Sequence, residues 1–198
     1  MSGVRLVLLG RQGAGKGTQA ERLSAHYGAP HISTGDMLRT AVAEGTDFGR
    51  KAAEIMNRGD LVPDDVIVGV VEERLDKDDA RSGGFLLDGF PRTVAQAEAL
   101  ADLVEPEGLH AVLNIDVPLD EVRSRMKARG RDDDTDEAID RRLELYERET
   151  SPLIEFYTER GLMVHVDGLG TMDEVFDRLV AAIDSARQSA TDDSRGQS

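Results

Sequence analysis

Val4-Arg-Leu-Val-Leu-Leu9 runs straight into Gly10-Arg-Gln-Gly13-Ala-Gly15-Lys16-Gly17-Thr18, an apolar stretch that breaks into glycines and ends on a lysine and a hydroxyl. The first six residues read as a buried strand, and the segment from Lys16 to Tyr27 reads as a helix. Glycines at such a turn let the backbone wrap closely around an anion, with several N–H groups pointing inward. The helix that follows presents the positive end of its dipole to the same point. Lys16 adds a full charge, and the Thr18 hydroxyl can meet a phosphate oxygen or a cation bound to it. The strict spacing G-x-x-x-x-G-K-[ST] fails by one place, because Gly17 follows the lysine. No G-x-G-x-x-G frame fits, which disfavours a dinucleotide fingerprint.

Working outward, short apolar runs alternate with longer helical patterns. Further strands are expected at His31 to Ser33, Phe85 to Asp88, Ala111 to Val117 and Leu162 to Val166. Most are apolar throughout rather than alternating, as parallel strands covered on both faces are. Helices are expected at Asp64 to Leu75, Leu119 to Arg129 and after Thr171, where Val175, Leu179 and Ile183 fall at helical spacing. The rhythm argues for an α/β fold: an open parallel five-stranded sheet with helices on both faces. Residues 34–62 carry two helical pieces and no strand, so they read as a helical insert. Gly130 to Asp136 reads as a charged loop, Pro152 should kink or break the helix it sits in, and 188–198 read as a disordered tail.

Composition narrows the function. The 198 residues include 39 acidic and 24 basic ones, for a formal charge of -15. Such a surface repels phosphate backbones, so nucleic acid is not an expected partner. No run approaches the roughly 20 apolar residues of a membrane span, and no signal-peptide pattern opens the chain. With no cysteine there is neither a disulfide framework nor a thiolate zinc site. A soluble cytoplasmic protein is expected. Lysine occurs only at Lys16, Lys51, Lys77 and Lys127; the other cations are arginine. An acidic, lysine-poor surface suits a salty cytosol, and a GC-rich genome also favours arginine; both readings stay open. Mutual repulsion is expected in two clusters, Asp76, Asp78 and Asp79, and Asp132 to Asp134.

Two further motifs occur in order: His-Ile-Ser33-Thr34-Gly35-Asp36-Met37-Leu38-Arg39 and Phe85-Leu-Leu-Asp88-Gly89-Phe90-Pro91-Arg92-Thr93. With the Gly-Lys-Gly-Thr loop they resemble the adenylate kinases, P-loop nucleoside monophosphate kinases, from Val4 to about Ile183. Gln12 stands where that family usually has proline, which should alter loop stiffness rather than chemistry. The resemblance implies reversible, magnesium-dependent transfer of the terminal phosphoryl group of ATP to AMP, giving two ADP, in adenine nucleotide homeostasis. It implies a monomeric P-loop kinase core over 1–187, an AMP-binding insert over 33–62 and a short lid over 128–134.

By the same resemblance, ATP would be held by Gly13, Ala14, Gly15, Lys16, Gly17, Thr18, Arg125, Arg129 and the backbone at Gly170. Arg39 and Arg92 would clamp the AMP phosphate, with Thr34, Gly89 and Gln96 facing its base, Asp60, Leu61 and Val62 along its ribose and base, and Phe90, Pro91, Arg131 and Arg142 also binding AMP. Gln96 carries both a donor and an acceptor, which the N6 and N1 edge of adenine requires. Lys16, Arg92, Arg129, Arg131 and Arg142 would carry the catalysis by neutralising charge in transit, as planar, permanently charged arginines can. Asp88, closing an apolar strand, would hold magnesium through water.

Only Gly130 separates Arg129 from Arg131, where longer relatives insert about thirty residues and often four zinc-binding cysteines, so a short lid without zinc is implied. The acidic run 132–137 fails as a calcium loop, having Glu137 where glycine is needed. It reads as a solvated helix cap, and ligand contacts by Asp133 and Asp134 are the alternative. Histidines 26, 31, 110 and 165 are scattered singly and read as structural or exposed. The nearest rival is a UMP/CMP-type kinase on the same scaffold; relatives of that type usually carry alanine where Thr34 stands. A GTPase lacks its N-K-x-D segment here, and a non-catalytic binding module would not need the full arginine set.

Overall fold

Strand β1 (Val4–Leu9) is apolar apart from Arg5 because both of its faces are covered. Val4, Leu6 and Leu8 face one core cluster and Val7 and Leu9 the other, as the two-residue repeat of a strand dictates. The computed structural model describes residues 3–45, 47–131 and 134–195, so Asp132 and Asp133 lie outside the described residues. Among these, four more strands complete one parallel sheet: β2 (His31–Ser33), β3 (Gly84–Asp88), β4 (Ala111–Asp116) and β5 (Met163–Asp167). Their order is β2-β3-β1-β4-β5.

The order reverses direction at β1. The chain leaves β1 toward β2, returns through β3, and continues on the far side with β4. A crevice opens at the carboxyl ends of strands at such a switch point. The glycine-rich turn after β1 and Asp88 at the end of β3 both lie there, Leu8 being paired with Asp88. On one face pack α1 (Lys16–Tyr27), α7 (Leu119–Arg129) and α10 (Met172–Arg195). On the other pack α4 (Asp64–Leu75), α6 (Val94–Leu103) and α9 (Pro152–Thr158). The short α5 (Asp78–Gly83) precedes β3. Among the described residues no helix is long and apolar enough to cross a membrane.

The segment that follows β2 without a strand forms α2 (Thr34–Ala43) and α3 (Asp47–Arg58), whose junction includes Gly45. Ser33 starts α2 by accepting the Asp36 N–H on its side chain. Gly130 ends α7 in the left-handed region, and Thr135 caps α8 (Asp136–Leu145) through the Ala138 N–H. Pro152 breaks the helix in a specific way. Residues Tyr146–Thr150 widen into a π-turn, closed by Ser151 N donating to Tyr146 O at 2.8 Å, and α9 starts on the proline. Proline has no N–H to offer the preceding turn; Ser151 Oγ supplies a donor instead, to Glu147 O at 2.6 Å. The C-terminal helix runs on to Arg195, beyond the point where the sequence reading places a disordered tail.

Candidate active site

The glycine-rich turn works as its residue types require. Gly13 has φ 91°, and a Cβ there would meet Val122 O at 2.6 Å. No other residue would fit so close to α7 at that backbone angle. Lys16, the first residue of α1, folds back into the loop and donates to Gly10 O at 2.7 Å and Arg11 O at 3.0 Å. Burial lowers the Lys16 ammonium from its usual value to about 8; Asp88 opposes that shift, while Arg92 and Arg129 add to it. A Cβ on Gly17 would lie 3.6 Å from Asp88 Oδ2, so the loop and the end of β3 face each other closely.

Burial disfavours the ionised form of Asp88, but the facing His31 imidazole, Lys16 and Arg92 outweigh it and hold the carboxyl below the usual carboxylate range. His31 Nε2 stands 3.6 Å from Asp88 Oδ2. The sequence reading counted that histidine as a scattered one. The register of β2 on β3, pairing Ser33 with Asp88, is what brings it to the site.

Around this floor the arginines converge. A cleft of 460 Å³ is lined by the loop residues Gly13, Gly15, Lys16, Gly17 and Thr18, by Asp88, and by Arg39, Arg92, Arg125, Arg129, Arg131 and Arg142. These come from the loop after β1, from α2, from the end of β3 and the segment after it, from α7 and the residues just beyond it, and from α8. A narrower pocket of 60 Å³ adjoins it, lined by Thr34, Asp60, Leu61, Val62 and Gln96 and sharing Arg39, Gly89, Arg92 and Arg142 with the cleft.

The narrower pocket is built by hydrogen bonds that set side chains in fixed poses. Thr34 Oγ1 donates to Gly89 O at 2.9 Å. Gly89 has φ 81°, and a Cβ there would meet Thr34 Oγ1 at 2.8 Å. Gln96 Oε1 accepts from Arg92 N at 2.7 Å, and Gln96 Nε2 donates to Asp64 Oδ1 at 2.6 Å. Those two bonds leave one amide hydrogen and one oxygen lone pair on Gln96. Asp64 is also held by Thr93 Oγ1 at 3.0 Å, so the glutamine pose is fixed from behind. Arg92 Nε donates to Gly89 O at 2.8 Å, which aims the guanidinium back over the loop.

Three expected residues do not reach the cleft wall with their side chains or are not brought to it. Phe90 is wholly buried in the core, and Ala14 is buried beneath the loop, so any contribution from either is by backbone. Gly170 is absent from the residues lining either pocket; it packs against Glu174, which a Cβ would approach to 2.5 Å. Arg125 reaches toward that same loop, 3.4 Å from Gly168 O, and pairs with Glu121.

The structure also adds residues that the sequence reading missed. Asp134 was grouped with a solvated cap; its side chain is 1% exposed. It accepts from Arg129 at 2.7 Å and 2.8 Å and from Arg142 at 2.8 Å. Burial opposes its ionisation, and Arg129 followed by Arg142 and Arg131 overcomes that and holds it below the usual range. A guanidinium pair drawn together around one carboxylate is a charge-assisted fork. The available signal was spacing alone: Asp134 lies five residues after Arg129 and eight before Arg142. Gln12, the family's proline position, lines both pockets, so its difference from proline bears on the cleft wall as well as on loop stiffness. Asp60 is turned toward Arg58 and Arg141, and those hydrogen bonds lower it.

The chain matches the family model described as Adenylate kinase over residues 8–162. It is 49% identical over 186 residues to an adenylate kinase of Xanthomonas euvesicatoria pv. vesicatoria, with 91% of this chain and 99% of that protein covered. It is 44% identical over 214 residues to one of Thermodesulfovibrio yellowstonii, again with 91% and 99% covered.

Proposed function

The chain belongs to the adenylate kinase family and transfers a phosphoryl group between ATP and AMP, and from that premise we propose how its own residues divide the work. The observation that carries this division is the convergence of Lys16 and six arginines on one cleft whose floor is a phosphate-shaped loop. Phosphoryl transfer needs little covalent help: two anionic tails must be forced together in line and their charge neutralised. Gly13 to Thr18 and the α1 N-terminus hold the donor phosphates, with Arg125 and the backbone near Gly170 on the donor base. Arg39 and Arg92 hold the acceptor phosphate. Lys16, Arg129, Arg131 and Arg142 follow the group in transit. No general base is needed, since an acceptor phosphate oxygen is already an anion at neutral pH.

The acceptor base is read by Gln96 and Thr34, with Leu61 and Val62 as apolar walls. The one free donor and one free acceptor of Gln96 support adenine, whose edge presents the complementary pair. Thr34 separates this reading from a pyrimidine kinase. Its hydroxyl donates to the Gly89 carbonyl, which also accepts from Arg92 Nε; an alanine at this position removes the first of these bonds and leaves the second.

Adenylate kinases depend on magnesium as a family. The residues here fit that ion: Asp88 is held ionised beside the loop, and the Thr18 hydroxyl lines the same cleft. Among the described residues no cluster of three or more His, Asp or Glu side chains could hold a metal alone. That donor set suits magnesium, which keeps waters and shares phosphate oxygens. Bound there, it would supply charge neutralisation on the phosphate oxygens, and Asp88 would hold it.

The division extends to moving parts, with residues 33–62 as the acceptor insert and 128–134 as the lid on a core spanning 1–187. The reading takes the protein as a working monomer in the cytoplasm, every residue given a role above belonging to this chain. The test is a coupled assay of nucleoside diphosphate formation from ATP and magnesium with AMP, CMP or UMP as acceptor. AMP should exceed both others by at least a hundredfold in kcat/KM; comparable rates with CMP or UMP would overturn the acceptor reading.

A further inference from the structure

Arg92 is bracketed by two side chains from distant parts of the chain. Its N–H donates to Gln96 Oε1 at 2.7 Å, and its carbonyl accepts from Thr150 Oγ1 at 2.9 Å. Each of the two peptide planes flanking its Cα is therefore tethered, and together they fix the direction in which the side chain leaves the backbone. Thr150 is only 7% exposed, lines the cleft, and sits fifty-eight positions from Arg92.

Thr150 reaches that carbonyl because it ends the π-turn. A turn with one residue fewer would rotate Thr150 by about 100° relative to α8 and carry the hydroxyl away from Arg92. The same turn is anchored to the phosphate loop. Glu147 Oε1 accepts from Arg11 Nη2 at 2.6 Å and from its Nε at 2.8 Å, and the Arg11 guanidinium stands 5.4 Å from the centre of the Tyr146 ring. One widened turn thus touches the donor loop through Glu147 and Tyr146 and the acceptor clamp through Thr150. π-turns inside α-helices recur at functional sites for this kind of re-aiming.

We infer that Thr150 is a positioning residue for phosphoryl transfer: by holding the Arg92 carbonyl from the π-turn, it aims the Arg92 guanidinium at the acceptor phosphate and sets that clamp at a fixed distance from the phosphate loop. The inference rests on Arg92 serving the acceptor. The Thr150 hydroxyl hydrogen is committed to the Arg92 carbonyl, and its effect runs through Arg92.

The experiment compares Thr150→Val, which keeps the shape and removes the donor, with Thr150→Ser, which keeps the donor. Each is made in the unchanged enzyme and together with Arg92→Ala, and KM for AMP, KM for ATP, kcat and melting temperature are measured. One net hydrogen bond corresponds to roughly a threefold to tenfold effect. Thr150→Val should raise KM for AMP by that factor and leave KM for ATP within twofold. Thr150→Ser should restore KM for AMP to within twofold. In the Arg92→Ala background, where no guanidinium remains to be aimed, Thr150→Val should change KM for AMP by less than twofold. Equal losses for both nucleotides, failure of serine to rescue, or the same loss with and without Arg92 would overturn the inference while leaving Arg92 in place. If Arg92→Ala alone leaves KM for AMP unchanged, the acceptor assignment falls and the inference falls with it.

Discussion

Lys16 shows how one residue carries both chemistry and a measurable titration. Its ammonium is buried and lowered to about 8, so in the protein alone it starts to lose its proton as pH rises through that value. Phosphate oxygens favour the charged form and raise the pKa again. Binding of ATP should therefore take up as much as one proton between about pH 8 and 10, and affinity should fall across that window. Calorimetry at pH 8.5 in two buffers of different ionisation enthalpy reads the uptake directly; no buffer dependence would refute it. Lys16→Met should abolish the uptake and cost about 2.7 kcal/mol in barrier, roughly a hundredfold in kcat. ATP affinity at neutral pH should change less than kcat, because the loop N–H groups still hold ground-state phosphates. Asp134 makes a second case. Replacing it by asparagine leaves Arg129 and Arg142 facing each other without their shared anion. Asp134→Asn should lose about 1–3 kcal/mol of stability, the partial exposure of Arg129 keeping it below a fully buried pair. It should also lose about tenfold in kcat. A variant with unchanged melting and turnover would return Asp134 to the role of a helix cap.

At the scale of elements, polar contacts join the segment around α3 to α8. Arg142 Nη2 donates to Met56 O of α3 at 3.1 Å, and Arg141 pairs with Asp60 at 2.9 Å. The Arg141–Asp60 pair is partly exposed and worth less than about 1 kcal/mol, so nucleotide contacts can readily reorganise it. Movement is also required by the chemistry, since water beside the transferring group would turn transfer into hydrolysis. A mimic of both substrates, two adenosines joined by five phosphates, should slow amide exchange in residues 34–62 and 128–136. The sheet strands should change little, being held by the core already. Uniform slowing, or none in those two segments, would rule out closure.

For the whole molecule the governing quantity is the charge of -15. The structure relocates the repulsion. Asp79 is held by both ends of the Arg74 guanidinium, Asp76 lies 3.4 Å from Arg81, and Asp134 is enclosed by arginines. The clusters expected from the sequence are thus largely compensated among the described residues, and the excess charge is spread over the surface. The Debye length is about 8 Å at 0.15 M salt and about 3 Å at 1 M, so most of that dispersed repulsion disappears over the interval. Melting temperature should rise by roughly 2–4 °C between those concentrations of potassium chloride, the equivalent of about 1 kcal/mol for a chain of this size. Scanning calorimetry decides it. A flat or falling melting temperature would mean that screening of ion pairs such as Arg74–Asp79 outweighs relief of the net charge, and the arginine excess would then reflect base composition.

By itself the sequence determined the parallel sheet, the glycine-rich turn after β1, the two helices that follow β2 and most of the arginines that line the cleft. These are legible because each depends on neighbours in the chain: a strand shows as an apolar run, and a phosphate cradle needs glycines and a lysine at fixed local spacing. What only the tertiary structure decided are pairings between distant residues of ordinary type. His31 meets Asp88 because β2 lies beside β3 in one register, and Asp64 reaches Gln96 because α4 packs against α6. Thr150 meets Arg92 because a π-turn ahead of Pro152 rotates it into place. Asp134 is buried because two helices bring Arg129 and Arg142 to the same side of it. A threonine or an aspartate carries no local mark of such a partner, since the free energy of these bonds is set by geometry that exists only once the sheet has ordered and the helices have docked.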